Sequence, residues 1–139
     1  SIFKQNKSEI IQLKNIYKFN DLKKEYTKKI KLNESSTKYI VNNNEKFDVL
    51  YGLKFLEDNK DSINMKFKLK RNGDYIIGDD LNWESLNNKV INDLPLGINS
   101  YDVYLLEWMD GKDDTKAGFN QSDYKLNIEI KAKSHYEGE

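Results

Sequence analysis

The side chains that do most chemistry in proteins are scarce in this sequence. It has one histidine, His135, and no cysteine among its 139 residues. The missing cysteines remove a thiol nucleophile, a Cys-based zinc site and a disulfide framework. A Ser-His-Asp triad would have His135 as its sole base. That residue lies near the chain end, where side chains are usually solvated, so we read it as a surface residue. The acids cluster in two places, Asp79–Asp80 and Asp110, Asp113 and Asp114. Loop carboxylates are hard oxygen ligands, but calcium takes six to eight oxygens. Neither cluster supplies that set, and neither has the alternating ligands and terminal Glu of an EF-hand. We read both as solvated turns that keep sheet edges from pairing. Trp83 and Trp108 are candidate platforms for sugar or peptide, although a Trp in a β-protein more often fills the core. The glycines are dispersed, so no phosphate loop forms. The chemistry points away from an enzyme and towards no cofactor and no metal.

Charge narrows the partners. Lys and Arg total 23 and Asp and Glu total 23, so the net charge is zero. A neutral chain has no field to gather nucleic acid or an anionic membrane. Arg71 is the single arginine, which leaves few guanidinium forks for planar recognition of phosphate. No apolar run approaches the ~20 residues of a membrane helix, and no signal peptide is visible.

The elements that must position these residues are strands. Tyr124, Leu126, Ile128, Ile130 and Ala132 alternate with Lys125, Asn127, Glu129, Lys131 and Lys133. A period of two describes a strand with one buried and one wet face. Ile63, Met65, Phe67 and Leu69 alternate likewise and lead into Asn72-Gly73, the dipeptide that favours a type I′ hairpin. Tyr75–Ile77 is its return strand. Phe47, Val49, Tyr51, Leu53 and Phe55 alternate beside Leu50 and Leu56, as in an inner strand. Tyr101–Met109 is apolar on both faces and reads as central. The strand from Asp123 follows it after a polar loop, which suggests an antiparallel hairpin with a long connection. Tyr39–Val41 is a short strand.

Two segments are ambiguous. Leu22, Tyr26 and Ile30 have helical spacing behind an Asn20 cap. Tyr26, Lys28, Ile30 and Leu32 fit a strand, which we prefer. Trp83, Leu86, Val90 and Leu94 fit a short helix, or a loop with one strand, ended by Pro95. Residues 1–139 therefore read as one mostly-β domain, an antiparallel β-sandwich of jelly-roll or immunoglobulin-like type with room for one or two short helices.

The C-terminal third carries a resemblance. It runs Leu94-Pro95-Leu96-Gly97, then Tyr101–Trp108, then Asp110-Gly111-Lys112-Asp113-Asp114, then Asn120-Gln121-Ser122-Asp123-Tyr124, and ends in the strand to Ala132. This resembles the C-terminal signature of the TasA/camelysin family of Gram-positive bacteria, and Ser1-Ile2-Phe3 is similar to that family's mature start. The resemblance implies a jelly-roll-like sandwich, export to the cell surface and biofilm matrix, and a role as a non-catalytic fibre subunit. It also implies self-association by strand donation, in which an N-terminal strand of one subunit completes the sheet of the next. Residues 1–15 would then be the donor, with Ile2, Phe3, Ile10, Ile11 and Leu13 as its interface residues. Two alternatives stand beside it: these residues form an ordinary first strand of their own subunit, and the chain is a monomeric, adhesin-like binding module. A protease label attached to some relatives has no His-Glu-x-x-His motif here to carry it.

Overall fold

A computed structural model describes residues 9–14, 22–30, 36–57, 65–108 and 124–135. All the regular structure in them is strand: β1 (Glu9–Leu13), β2 (Leu22–Ile30), β3 (Ser36–Asn43), β4 (Val49–Glu57), β5 (Phe67–Arg71), β6 (Asp74–Ile77), β7 (Val90–Leu96), β8 (Tyr101–Trp108) and β9 (Tyr124–Ser134). They form two sheets, one ordered β1-β3-β8-β5-β6 and the other β2-β9-β4-β7.

The alternation explains the burial. Leu126, Ile128, Ile130 and Ala132 of β9 are buried, as are Val49, Tyr51, Leu53 and Phe55 of β4. From the other sheet come Tyr39 and Val41, Phe67 and Leu69, and Tyr104, Leu106 and Trp108. These side chains belong to a single core cluster to which both sheets contribute. β8 is the middle strand of its sheet and β4 an inner strand of the other, as their two-sided apolar character predicts.

The hairpin of β5 and β6 turns at Asn72-Gly73, with φ values of 51° and 88°. Two consecutive positive φ angles define the type I′ turn, which Asn-Gly adopts with little strain. The edge strand β7 carries a bulge. Tyr51 pairs with Leu94 and Leu53 with Ile91, so Gly52 alone faces Asn92 and Asp93. Asp93 has φ of 59°. A Cβ on Gly52 would stand 2.8 Å from Asn92 Oδ1 and 3.0 Å from the Ile91 carbonyl oxygen, so the bulge favours glycine on the facing strand.

Two expectations change, and two open readings are decided. β1 and β3 pair in parallel, with Glu9 opposite Tyr39 and Leu13 opposite Asn43. Between them the chain crosses to the other sheet as β2 and returns, so both strands run the same way. β8 and β9 do not form a hairpin: β8 lies between β3 and β5, and β9 between β2 and β4. Their connection passes from sheet to sheet. No helix occurs among the described residues. Residues 22–30 are a strand, because Leu22, Tyr26 and Ile30 also satisfy a period of two. The stripe from Trp83 to Leu94 is a loop followed by β7: Glu84 bridges to Phe67, Leu86 is fully buried, and Asn88 takes φ of 60°. Ile63 lies outside the described residues, and Met65 is buried just before β5 begins.

Candidate functional site

β1 is the element on which the donor residues fall. Among the described residues it is an edge strand, joined to its sheet through β3 alone. Ile11 and Leu13 point inward and are buried, while Ile10 points outward and is 60% exposed. Gln12 accepts a hydrogen bond at its Oε1 from Asn42 Nδ2 at 3.1 Å, which fastens the outer face of β1 to β3. The Leu13 carbonyl accepts the backbone N–H of Asn44 at 3.0 Å. Burying Ile11 and Leu13 contributes about 1.5–3 kcal/mol each. β1 is thus a short edge strand with two apolar anchors. Ile2 and Phe3 lie outside the described residues.

A dense polar cluster lies between the sheets, at Asp102. This carboxylate is on the inward face of β8, in line with Tyr104, Leu106 and Trp108, and its side chain is 5% exposed. Tyr51, from the opposite sheet, donates its hydroxyl proton to Oδ2. Having spent its one proton there, Tyr51 accepts from the neighbouring Tyr104 hydroxyl. Arg71 at the end of β5 donates Nε to Oδ2 at 3.0 Å and holds the same oxygen with Nη2 at 2.9 Å. Asn72 Nδ2 donates to Oδ1 at 2.8 Å, while its own Oδ1 accepts Val103 N–H at 2.8 Å. Arg71 Nη2 also donates to the Pro95 carbonyl on β7 at 2.8 Å. A buried carboxylate is tolerated when it is charge-paired and its lone pairs are filled, and both conditions hold here. The cluster ties β4, β7, β8 and the β5–β6 turn together. Burial, then the neighbouring Tyr104 and Asp102, raises the Tyr51 pKa far above the usual phenol range. Burial also raises those of Tyr104 and Tyr39. All three phenols stay protonated in the folded protein, and Tyr51 and Tyr104 spend their protons within the cluster.

The remaining sequence candidates separate. Trp108 is 2% exposed and packs edge-on against Phe67 at 6.4 Å, a core role. Trp83 is half-buried beneath Lys68, whose Nζ sits 4.4 Å from the ring centroid. His135 follows β9, is partly exposed, and donates its backbone N–H to the Asp48 carbonyl at 2.8 Å. The Asp79 carboxylate closes its own turn: Oδ1 accepts Leu81 N–H and Asn82 N–H, both at 2.9 Å, and Asn82 Nδ2 donates to both oxygens. These bonds, that from Asn82 foremost, lower its pKa. Asp80 is exposed beside it. Asp110, Asp113 and Asp114 lie outside the described residues. Among the described residues no three His, Cys, Asp or Glu side chains are grouped to hold a metal, and no helix is long and apolar enough to cross a membrane.

Sequence reasoning missed the Asp102 cluster. Its signal was present: an acid stands on the otherwise apolar Tyr104–Leu106–Trp108 face of β8, and the chain has one arginine to meet it. Comparison with known proteins finds no matching family model and no matching curated protein.

Proposed function

We propose that this chain is a non-catalytic structural protein of the cell exterior, a TasA/camelysin-like fibre or matrix subunit that assembles by exchange of its N-terminal strand. The observation that supports the reading is β1: a short strand at a sheet edge, parallel to β3, with Ile11 and Leu13 buried in the core. Edge strands are the usual sites of strand addition. A neighbouring subunit's copy of β1 would present the same two anchors to the same positions. Because such a contact is head-to-tail, it extends into filaments instead of closing.

A second reading has its own support. Ile11 and Leu13 are already seated in their own chain, as in a monomeric, adhesin-like surface module. Concentration decides between the two. A tethered strand competes at an effective concentration of order mM, so exchange grows as the protein is concentrated. Size-exclusion chromatography over a concentration series, with electron microscopy of the fractions, tests the proposal. Assembly predicts filaments that grow with concentration and are lost when residues 1–15 are removed. A monomer at every concentration would favour the binding module, and filaments from the shortened chain would remove the donor role.

A further inference from the structure

The outer face of the β2-β9-β4-β7 sheet is not flat. A groove of about 300 Å³ opens over β4, β7 and β9 beside the Gly52 bulge, at the small end of ligand-site volumes. Leu50 and Val90 give it apolar walls, and Asn92 of the bulge gives it an amide. Its charged groups are mostly cationic: Lys54, Lys131 and Lys133.

Register sets their spacing. Lys133 is opposite Leu50, Lys131 opposite Gly52, and Lys54 opposite Glu129. One lysine therefore occupies each of three successive outward rows, and such rows are about 7 Å apart. Lys54 and Lys133 are exposed, and Lys131 is 66% exposed. Two acids share the groove. Glu129 is only 13% exposed and lies 3.8 Å from Lys131 Nζ, while Asp93 is exposed. Three cations against two acids, one of them sunk beneath a lysine, leave the groove positive in an otherwise neutral chain.

We propose that this groove binds a linear anionic glycopolymer, laid along the strands with successive carboxylate or phosphodiester charges against the lysine ladder. Ammonium groups on flexible stems suit such a polymer, because they neutralise charge without demanding the planar geometry that a guanidinium fork reads. Nucleic acid fits less well. Single strands bind by stacking bases on aromatic rings, and the one ring among the described lining residues, Tyr51, is turned into the core at 2% exposed. The site is independent of strand exchange, since β1 lies in the other sheet.

The test is binding of the full chain, below any concentration at which it polymerises, to two probes: oligogalacturonate for the carboxylate arm and poly(glycerol phosphate) for the phosphodiester arm. Neutral dextran and a single-stranded DNA of equal charge serve as comparisons. The expected result is binding to at least one glycopolymer and none to dextran. Affinity should fall as salt is raised and fall at least tenfold in the triple variant Lys54→Gln/Lys131→Gln/Lys133→Gln. The triple Lys→Arg variant should keep it. All three side chains are exposed, so the variants should melt like the parent chain, and a melt confirms that loss of binding is not loss of fold. No binding to either polymer, equal binding by the Gln variant, or preference for DNA would overturn the proposal.

Discussion

At the scale of single residues, the three interior tyrosines separate two kinds of buried hydroxyl. Tyr51 gives its proton to Asp102, whereas the Tyr39 hydroxyl is buried with no hydrogen-bond partner. Tyr51→Phe removes a donor from a buried carboxylate and should cost about 1–3 kcal/mol. Tyr39→Phe sheds an unmet polar group and keeps the ring stacked 4.9 Å from Tyr104, so it should be neutral or stabilising. Urea denaturation of both variants checks the contrast. Arg71→Met leaves Asp102 without its counter-charge. We expect a loss of about 3 kcal/mol, the low end for breaking a buried pair, because the guanidinium is still 20% exposed. The tyrosines also fix the response to alkali. Their folded pKa values are raised by burial, so the folded state holds protons that the unfolded chain releases above about pH 10. Their contribution is complete below that pH and is lost progressively as pH rises beyond it towards the raised folded values. The absorbance of these three tyrosinates should therefore appear together with unfolding. Ionisation of all nine tyrosines while the sheets remain intact would contradict the burial.

At the scale of elements, the β5–β6 turn and the strand β1 carry the sharpest expectations. Gly73 sits at φ of 88°, and a Cβ there is penalised by roughly 1–2 kcal/mol. Gly73→Ala should lower the melting temperature, although nothing lies within 4 Å of the added methyl. An unchanged melt would mean that the turn is not type I′. Leu13→Ala opens a cavity at a fully buried anchor and should cost about 2–5 kcal/mol. If β1 were only loosely applied to the sheet, that loss would shrink towards zero. These elements also mark what could be read from the sequence. Period-two alternation located β4, β5 and β9, because one face of each meets the core, and an apolar run on both faces located β8. The Asn-Gly dipeptide located the hairpin, because the turn demands those backbone angles. Partnership was not legible. An apolar run marks β8 as a central strand but not which strand lies beside it, so β8 and β9 read as a hairpin although they lie in different sheets. The parallel β1–β3 pair was hidden for the same reason. The Asp102 cluster depends on three distant segments meeting, and neither β4 nor β8 carries the pattern alone.

At the scale of the whole molecule, a two-sheet core is bordered by edges of unequal openness. Three of them show features that discourage pairing. β6 is four residues long, β7 holds a bulge and Pro95, and β2 reads Leu-Lys-Lys-Glu-Tyr-Thr-Lys-Lys-Ile. β1 has an exposed Ile10 and two buried anchors, which makes it the edge best suited to assembly. Cross-linking tests this most directly. Ile10 and Ile40 are register partners in the parallel pair, on adjacent strands close enough for a disulfide, and the native chain has no cysteine to interfere. The double variant Ile10→Cys/Ile40→Cys, oxidised at rising protein concentration, should give a ladder of covalent multimers that grows as filaments form. If β1 never leaves its own chain, every concentration will yield internally bridged monomers alone, and assembly by strand exchange will be wrong.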